Sequence, residues 1–142
     1  MSKVEKAVEC FKDNYNCSQA IFATYSQEFG VPLERAFKIA SGFGGGMRIG
    51  GTCGAVTGAF MVLGLKFAQG KDKPYDKIIE FADRFCRRNQ STNCIELIGC
   101  DIRTELGMQK AIDEGLFRTI CTKMVKDAAE ILEAMLTDDC SN

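Results

Sequence analysis

Eight cysteines and no histidine in a chain of 142 residues delimit the chemistry open to this protein. A thiolate is a nucleophile, a redox group and a soft metal ligand, and clustered cysteines in a reducing compartment serve as metal ligands or redox groups more often than as a disulfide framework. The missing histidine removes Ser-His-Asp and Cys-His catalytic pairs, His-ligated haem and mixed Cys/His zinc sites. If a metal is bound, thiolates must carry most of its coordination.

Helix position sorts the eight. Cys17 follows Asn16, Cys53 follows Thr52 and Cys94 follows Asn93. Each preceding residue is a good N-cap type, and Gln19 and Glu96 stand three residues after their caps, as in a capping box. Cys121 lies two residues after Thr119 and just ahead of an amphipathic run, which places it in a first turn as well. The first turn of a helix offers unpaired N–H groups and the positive end of the dipole, both of which favour thiolate over thiol. Cys10 and Cys86 read as mid-helix, with Cys86 in the core; Cys100 follows the helix-ending Gly99, and Cys140 sits in the tail. Any one cysteine can pack as a small hydrophobe, but four at helix starts together form a signal. Their intervals of 36, 41 and 27 residues fit no compact zinc ribbon or ferredoxin pattern. They meet only if the fold gathers four helix starts.

The stretch "SGFGGGMRIGGTCGAVTGAF", 41–60, leads into the second of these cysteines. Gly42 and Gly44 begin a GxGxxG, but Met47 stands where the third glycine belongs, and no Gly-Lys-Ser/Thr follows. A nucleotide cradle is excluded on that pattern. What remains is a flexible approach to a helix start, with Thr52 as cap and Cys53 presented to backbone N–H groups. Met47 and Arg48 on this loop either lie over a nearby site, Arg48 offsetting its negative charge, or are simply exposed.

The elements that must position these residues are helical. Val4, Ala7, Val8, Phe11 and Tyr15 recur at helical spacing, as do Cys17, Ala20, Ile21, Thr24 and Tyr25. Gly30 and Pro32 separate the second helix from a third with Leu33, Ala36, Phe37 and Ala40 on one face. Over residues 53–68 apolar residues surround the helix, which marks a central one. Gly54, Ala55 and Gly58 keep one side of it small, forming a wall against which a backbone or a prosthetic group can approach. Further helices are expected at Tyr75 to Cys86, Cys94 to Ile98, Arg103 to Ala111 and from near Ile120 to Leu136, with residues 137–142 a frayed tail. The sequence thus predicts one all-α domain, a bundle of six to seven helices around the central one.

Lys and Arg number 18 against 19 Asp and Glu, so nothing electrostatic recommends a nucleic acid or an anionic membrane. The first residues carry charges where a signal peptide needs an apolar run, and the longest uncharged stretch is glycine-rich and short for a membrane span. The expectation is a cytoplasmic protein off the membrane, with oligomerisation left open.

The segments "NYNCSQA", "GGTCGAVTGAFMVLGL", "STNCIELIGCD" and "CTKMVKDAAEIL" resemble the redox-active protein family named for the cysteine pattern C_GCAxxG_C_C, over nearly the full length. The central motif stands here as CGAxxG, Cys53 to Gly58. The resemblance implies a small helical domain, similar to one attached to split-Soret-type cytochromes, whose four characteristic cysteines are redox-active or bind a metal cluster. The leading expectation is an iron–sulfur cluster held by Cys17, Cys53, Cys94 and Cys121 for electron transfer with a partner protein, or for sensing. Thiol–disulfide chemistry by a pair of them without metal is the alternative, followed by four-thiolate zinc and by a non-redox helical interaction module.

Overall fold

The computed structural model describes residues 1–138; Cys140 and the rest of the tail lie outside the described residues. Among the described residues eight α-helices run α1 (Lys3–Lys12), α2 (Cys17–Ser26), α3 (Leu33–Ile39), α4 (Gly54–Phe67), α5 (Tyr75–Asn89), α6 (Cys94–Ile98), α7 (Glu105–Asp113) and α8 (Leu116–Asp138). Among the described residues there is no strand, only the isolated bridges Thr52 to Asn93 and Gln69 to Asp72. Among the same residues no helix is long and apolar enough to cross a membrane.

Local chemistry accounts for most boundaries. The side chains of Ser2, Asn16, Asn93 and Thr104 accept N–H bonds at the starts of α1, α2, α6 and α7, satisfying donors that a helix leaves open. Asn16 and Gln19 close a full capping box. At α6 the box is half made, because the Glu96 carboxylate turns to the Ser91 hydroxyl while Ser91 serves the Asn93 N–H. Gly30 and Gly99 end their helical segments in the left-handed conformation, φ 87° and 82°.

Three expectations need correction. The last helix begins at Leu116 rather than near Ile120, so Cys121 sits in its second turn. Thr119, which reads as a cap, instead bonds back to the Gly115 carbonyl one turn earlier, the use of a threonine hydroxyl inside a helix. Helix α8 also continues through Thr137 and Asp138, so the tail is helical to the end of the described residues. Cys86 is only half-buried and does not belong to the core.

The main core lies between α2, α4, α5 and α8, with Tyr25, Phe81, Phe85, Ile21, Leu63 and Leu132 its largest fully buried side chains. Helix α4 packs on α2, α5 and α8, and α2 shares its central position, touching α1, α3, α4 and α8. A methyl group built at Gly58 would lie 2.8 Å from the Ser18 carbonyl oxygen. The small face of α4 is thus filled by the backbone of α2. A second, smaller core of Cys94, Ile98, Cys100, Ile102 and Ala111 joins α6 and α7 to the start of α8. Arg88 at the end of α5 bonds Asp127 and Glu130 of α8, at 3.3 and 2.7 Å, tying the two helices together.

Candidate functional site

Each of the four singled-out cysteines is placed by a different local device. Cys17 opens α2, and the Asn16 amide that caps it also donates to the Ser41 carbonyl at 3.1 Å, while Gln19 donates to the Phe37 carbonyl at 2.8 Å. These bonds hold the start of α2 against α3 and the beginning of the glycine-rich loop. Within that loop Gly45, Gly46, Met47 and Arg48 follow one another in the left-handed conformation, φ 61–63°. For Met47 and Arg48 this costs about 1–2 kcal/mol each. At Gly46 a Cβ would lie 2.5 Å from the Gly51 nitrogen and 2.8 Å from the Cys94 Cβ, so only glycine admits the cysteine of α6 there.

Cys53 and Cys94 are brought together by backbone pairing. The Cys53 N–H donates to the Thr92 carbonyl and the Cys94 N–H to the Gly51 carbonyl, both at 2.7 Å, and the Asn93 amide donates to Gly50 at 3.0 Å. Thr52 is drawn into this bridge, so it does not cap α4; Cys53 itself occupies the N-cap position with no side-chain cap. Cys121 comes from the second turn of α8, against the small core that contains Cys94.

All four cysteines line one cavity of about 730 Å³. Cys17, Cys53 and Cys94 are 8%, 6% and 6% exposed, and Cys121 is half-buried. The other described cysteines do not border it. Of the expected wall residues, Gly54 lines the cavity, where a Cβ would lie 2.5 Å from the Cys17 Sγ; Ala55 and Gly58 are buried away from it. Arg48 does border it, and so do Phe11, read from the sequence only as part of an apolar helix face, and Lys12, Phe117 and Arg118, which the sequence did not single out. Lys12 ends α1 and Arg118 lies one turn before Cys121, positions at which a lysine and an arginine give no signal beyond a solvated face.

Cys17 and Cys53 are free thiols in contact. The Cys53 S–H donates to the Cys17 sulfur, and backbone N–H groups of Gly45 and Ser18 point there too; together they outweigh burial and lower Cys17 to about 7. Cys53 is pushed well up, because it would have to surrender that bonding proton beside a thiolate and in a buried site. The pair therefore loses its first proton readily and its second with difficulty. Burial and the Cys17 charge raise Cys94 to about 11, and burial with the charges of Cys17 and Cys94 raises Cys121 to about 12.

A lowered thiol is protonated below its midpoint and reactive above it. Iodoacetamide labelling of Cys17, followed by peptide mass, is expected to rise through a midpoint near pH 7 and level off, while Cys94 labelling still climbs near pH 11. Equal profiles for the two would contradict the bonding described.

Among the described residues no group of three or more Cys, Asp or Glu side chains is gathered tightly enough to hold one metal ion. The donor set is one contacting pair, Cys17 with Cys53, and two further thiols, Cys94 and Cys121, lining the same cavity.

Residues 15–135 match the family described as "Putative redox-active protein (C_GCAxxG_C_C)". No match was found among curated proteins or among solved structures.

Proposed function

Because the chain belongs to the C_GCAxxG_C_C family of redox-active proteins, we propose that it performs two-electron thiol–disulfide exchange with Cys17 as attacking thiolate and Cys53 as resolving thiol. The contact between these two thiols carries the reading, since one is ionised near neutrality while the other holds its proton against it. In the exchange the Cys17 thiolate attacks one sulfur of a disulfide substrate, whose S–S bond breaks and whose other half leaves as a thiolate. Cys53 then loses its proton and attacks the Cys17 sulfur, displacing the second half. The protein dithiol is oxidised by two electrons to a Cys17–Cys53 disulfide, and the substrate is reduced to two thiols. Gly45, Ser18, Ala55 and Val56 N–H groups stabilise the thiolate at each stage.

A second reading, an iron–sulfur cluster, is favoured by the convergence of all four thiols on one cavity. The thiols do not gather around a single ion, which argues against a four-thiolate zinc. A two-iron cluster divides its four thiolates between its irons, so Cys17 with Cys53 and Cys94 with Cys121 would hold it. Bound there, it would supply one-electron transfer.

One experiment separates the two. Protein purified without oxygen is analysed for colour, iron and sulfide, then titrated with oxidised dithiothreitol and mapped by peptide mass. The expected result is a colourless protein whose free thiols fall reversibly by two, with 17 and 53 joined. A brown protein with iron, sulfide and no exchangeable thiol pair would establish the cluster instead.

A further inference from the structure

Three cationic residues border the cavity, and among the described residues no acidic side chain lines it with them. They are Lys12 at the end of α1, Arg48 in the left-handed loop and Arg118 in the first turn of α8. The ion pairs among the described residues engage other lysines and arginines and leave these three without a partner. All three residues are exposed, whereas Leu97, Phe117 and Met124 on the same cavity are half-buried or buried. The space is therefore apolar with a cationic rim, and the Cys17 and Cys53 thiols lie among its buried residues.

Size and access narrow what can use it. Cys17 and Cys53 are too buried for a disulfide on the surface of a folded protein to reach. A volume of about 730 Å³ falls within the usual range for small-molecule pockets.

We propose that the oxidising substrate of the Cys17–Cys53 pair is a small disulfide with an apolar or aromatic body and anionic groups, bound with its body against Phe117 and Met124 and its charges at Lys12, Arg48 and Arg118. This rests on the thiol-exchange reading and adds the class of substrate. The exchange balances as above: the S–S bond of the small disulfide breaks, both halves leave as thiols, and the two electrons come from the protein pair. The rim cations stabilise each leaving thiolate while it is still in the cavity.

The test compares three reagents on the reduced protein, each rate divided by that of 2-mercaptoethanol with the same reagent. They are 5,5′-dithiobis(2-nitrobenzoate), which is anionic and aromatic, neutral 2,2′-dithiodipyridine, and cationic cystamine. The expected result is a preference for the anion over cystamine of roughly tenfold at low salt. That preference should collapse in the triple variant Lys12→Gln/Arg48→Gln/Arg118→Gln and in about 0.5 M salt. A preference that survives the triple variant, or none in the parent, overturns the proposal.

Binding of 1-anilinonaphthalene-8-sulfonate to Cys17→Ser separates the cavity from its chemistry. One site is expected, weakened roughly tenfold by the same three substitutions in a background that keeps its thermal transition. If the dye binds so while no disulfide oxidises the parent, thiol exchange fails and the anion-selective cavity stands. If disulfides react without charge preference and the dye ignores the rim, exchange stands and the substrate class falls.

Discussion

In Cys53→Ala, treatment with a small disulfide is expected to leave half of the reagent covalently attached to Cys17, with one thiol released per protein. The parent should release two thiols and retain none of the reagent. The difference follows from the division of labour in the pair: the first attack needs only the Cys17 thiolate, whereas release of the mixed disulfide needs a second thiol in contact with it. Cys94 and Cys121 share the cavity, but burial and neighbouring charge hold them near 11 and 12, so their thiolate fraction at neutral pH is negligible. The same variant removes the S–H that donates to Cys17, so the Cys17 midpoint should move up and its labelling at pH 7 should slow. Intact-protein mass and released-thiol absorbance measure both effects. Two thiols released with no adduct in Cys53→Ala would mean that another cysteine resolves, and the assigned pair would be wrong.

Gly58→Ala and Gly64→Ala, two substitutions of the same kind on α4, are expected to change stability in opposite directions. At Gly58 the added methyl group meets the Ser18 carbonyl oxygen at 2.8 Å, the Ile21 Cβ at 3.1 Å and the Ser18 Cα at 3.3 Å. Two of these are backbone atoms of a buried helix, which cannot move aside as the end of a flexible side chain can. Forcing an extra carbon into such a contact costs about 1–3 kcal/mol, and the alanine returns only about 0.5–1 kcal/mol of helix propensity. At Gly64 nothing lies within 4 Å of the added group, so only the propensity gain of about 0.5–1 kcal/mol remains. Urea unfolding of the two variants should bracket the parent. Because α2 carries Cys17 and α4 starts at Cys53, Gly58→Ala should also weaken the thiol contact and raise the Cys17 labelling midpoint. An unchanged midpoint in a destabilised Gly58→Ala would show that the contact is held by the bonds of Asn16 to Ser41 and of Gln19 to Phe37.

Much of the fold was legible because its signals are local. Asn16 with Gln19 specifies a capping box from residue types three apart, and the box forms. The apolar residues that encircle α4 mark a helix covered on several sides, and α2, α5 and α8 cover it. Errors arose where one side chain had two local uses. Thr119 reads as an N-cap, yet it lies inside α8 and its hydroxyl serves the Gly115 carbonyl just before that helix; Thr52 reads as a cap and is spent in the bridge to Asn93. The glycines of the CGAxxG motif signalled close approach, but not to what. Gly58 answers to the Ser18 backbone, and Gly54 to the Cys17 sulfur as well as to backbone.

For the site, the identity of the four cysteines and the favourable helix-start setting of Cys17 and Cys94 followed from the sequence alone, since capping depends on neighbours three or four residues away. Their convergence did not. Cys53 and Cys94 are 41 residues apart in the chain and meet through two backbone bonds that no residue type announces. Cys17 reaches Cys53 only because two glycines let α2 and α4 close on each other. The cationic rim, drawn from α1, the loop and α8, is likewise a product of long-range packing, so it was invisible until those segments stood side by side. Local chemistry placed Cys17 and Cys94 at helix starts; only the tertiary structure decided that burial raises Cys94 while a partner thiol lowers Cys17.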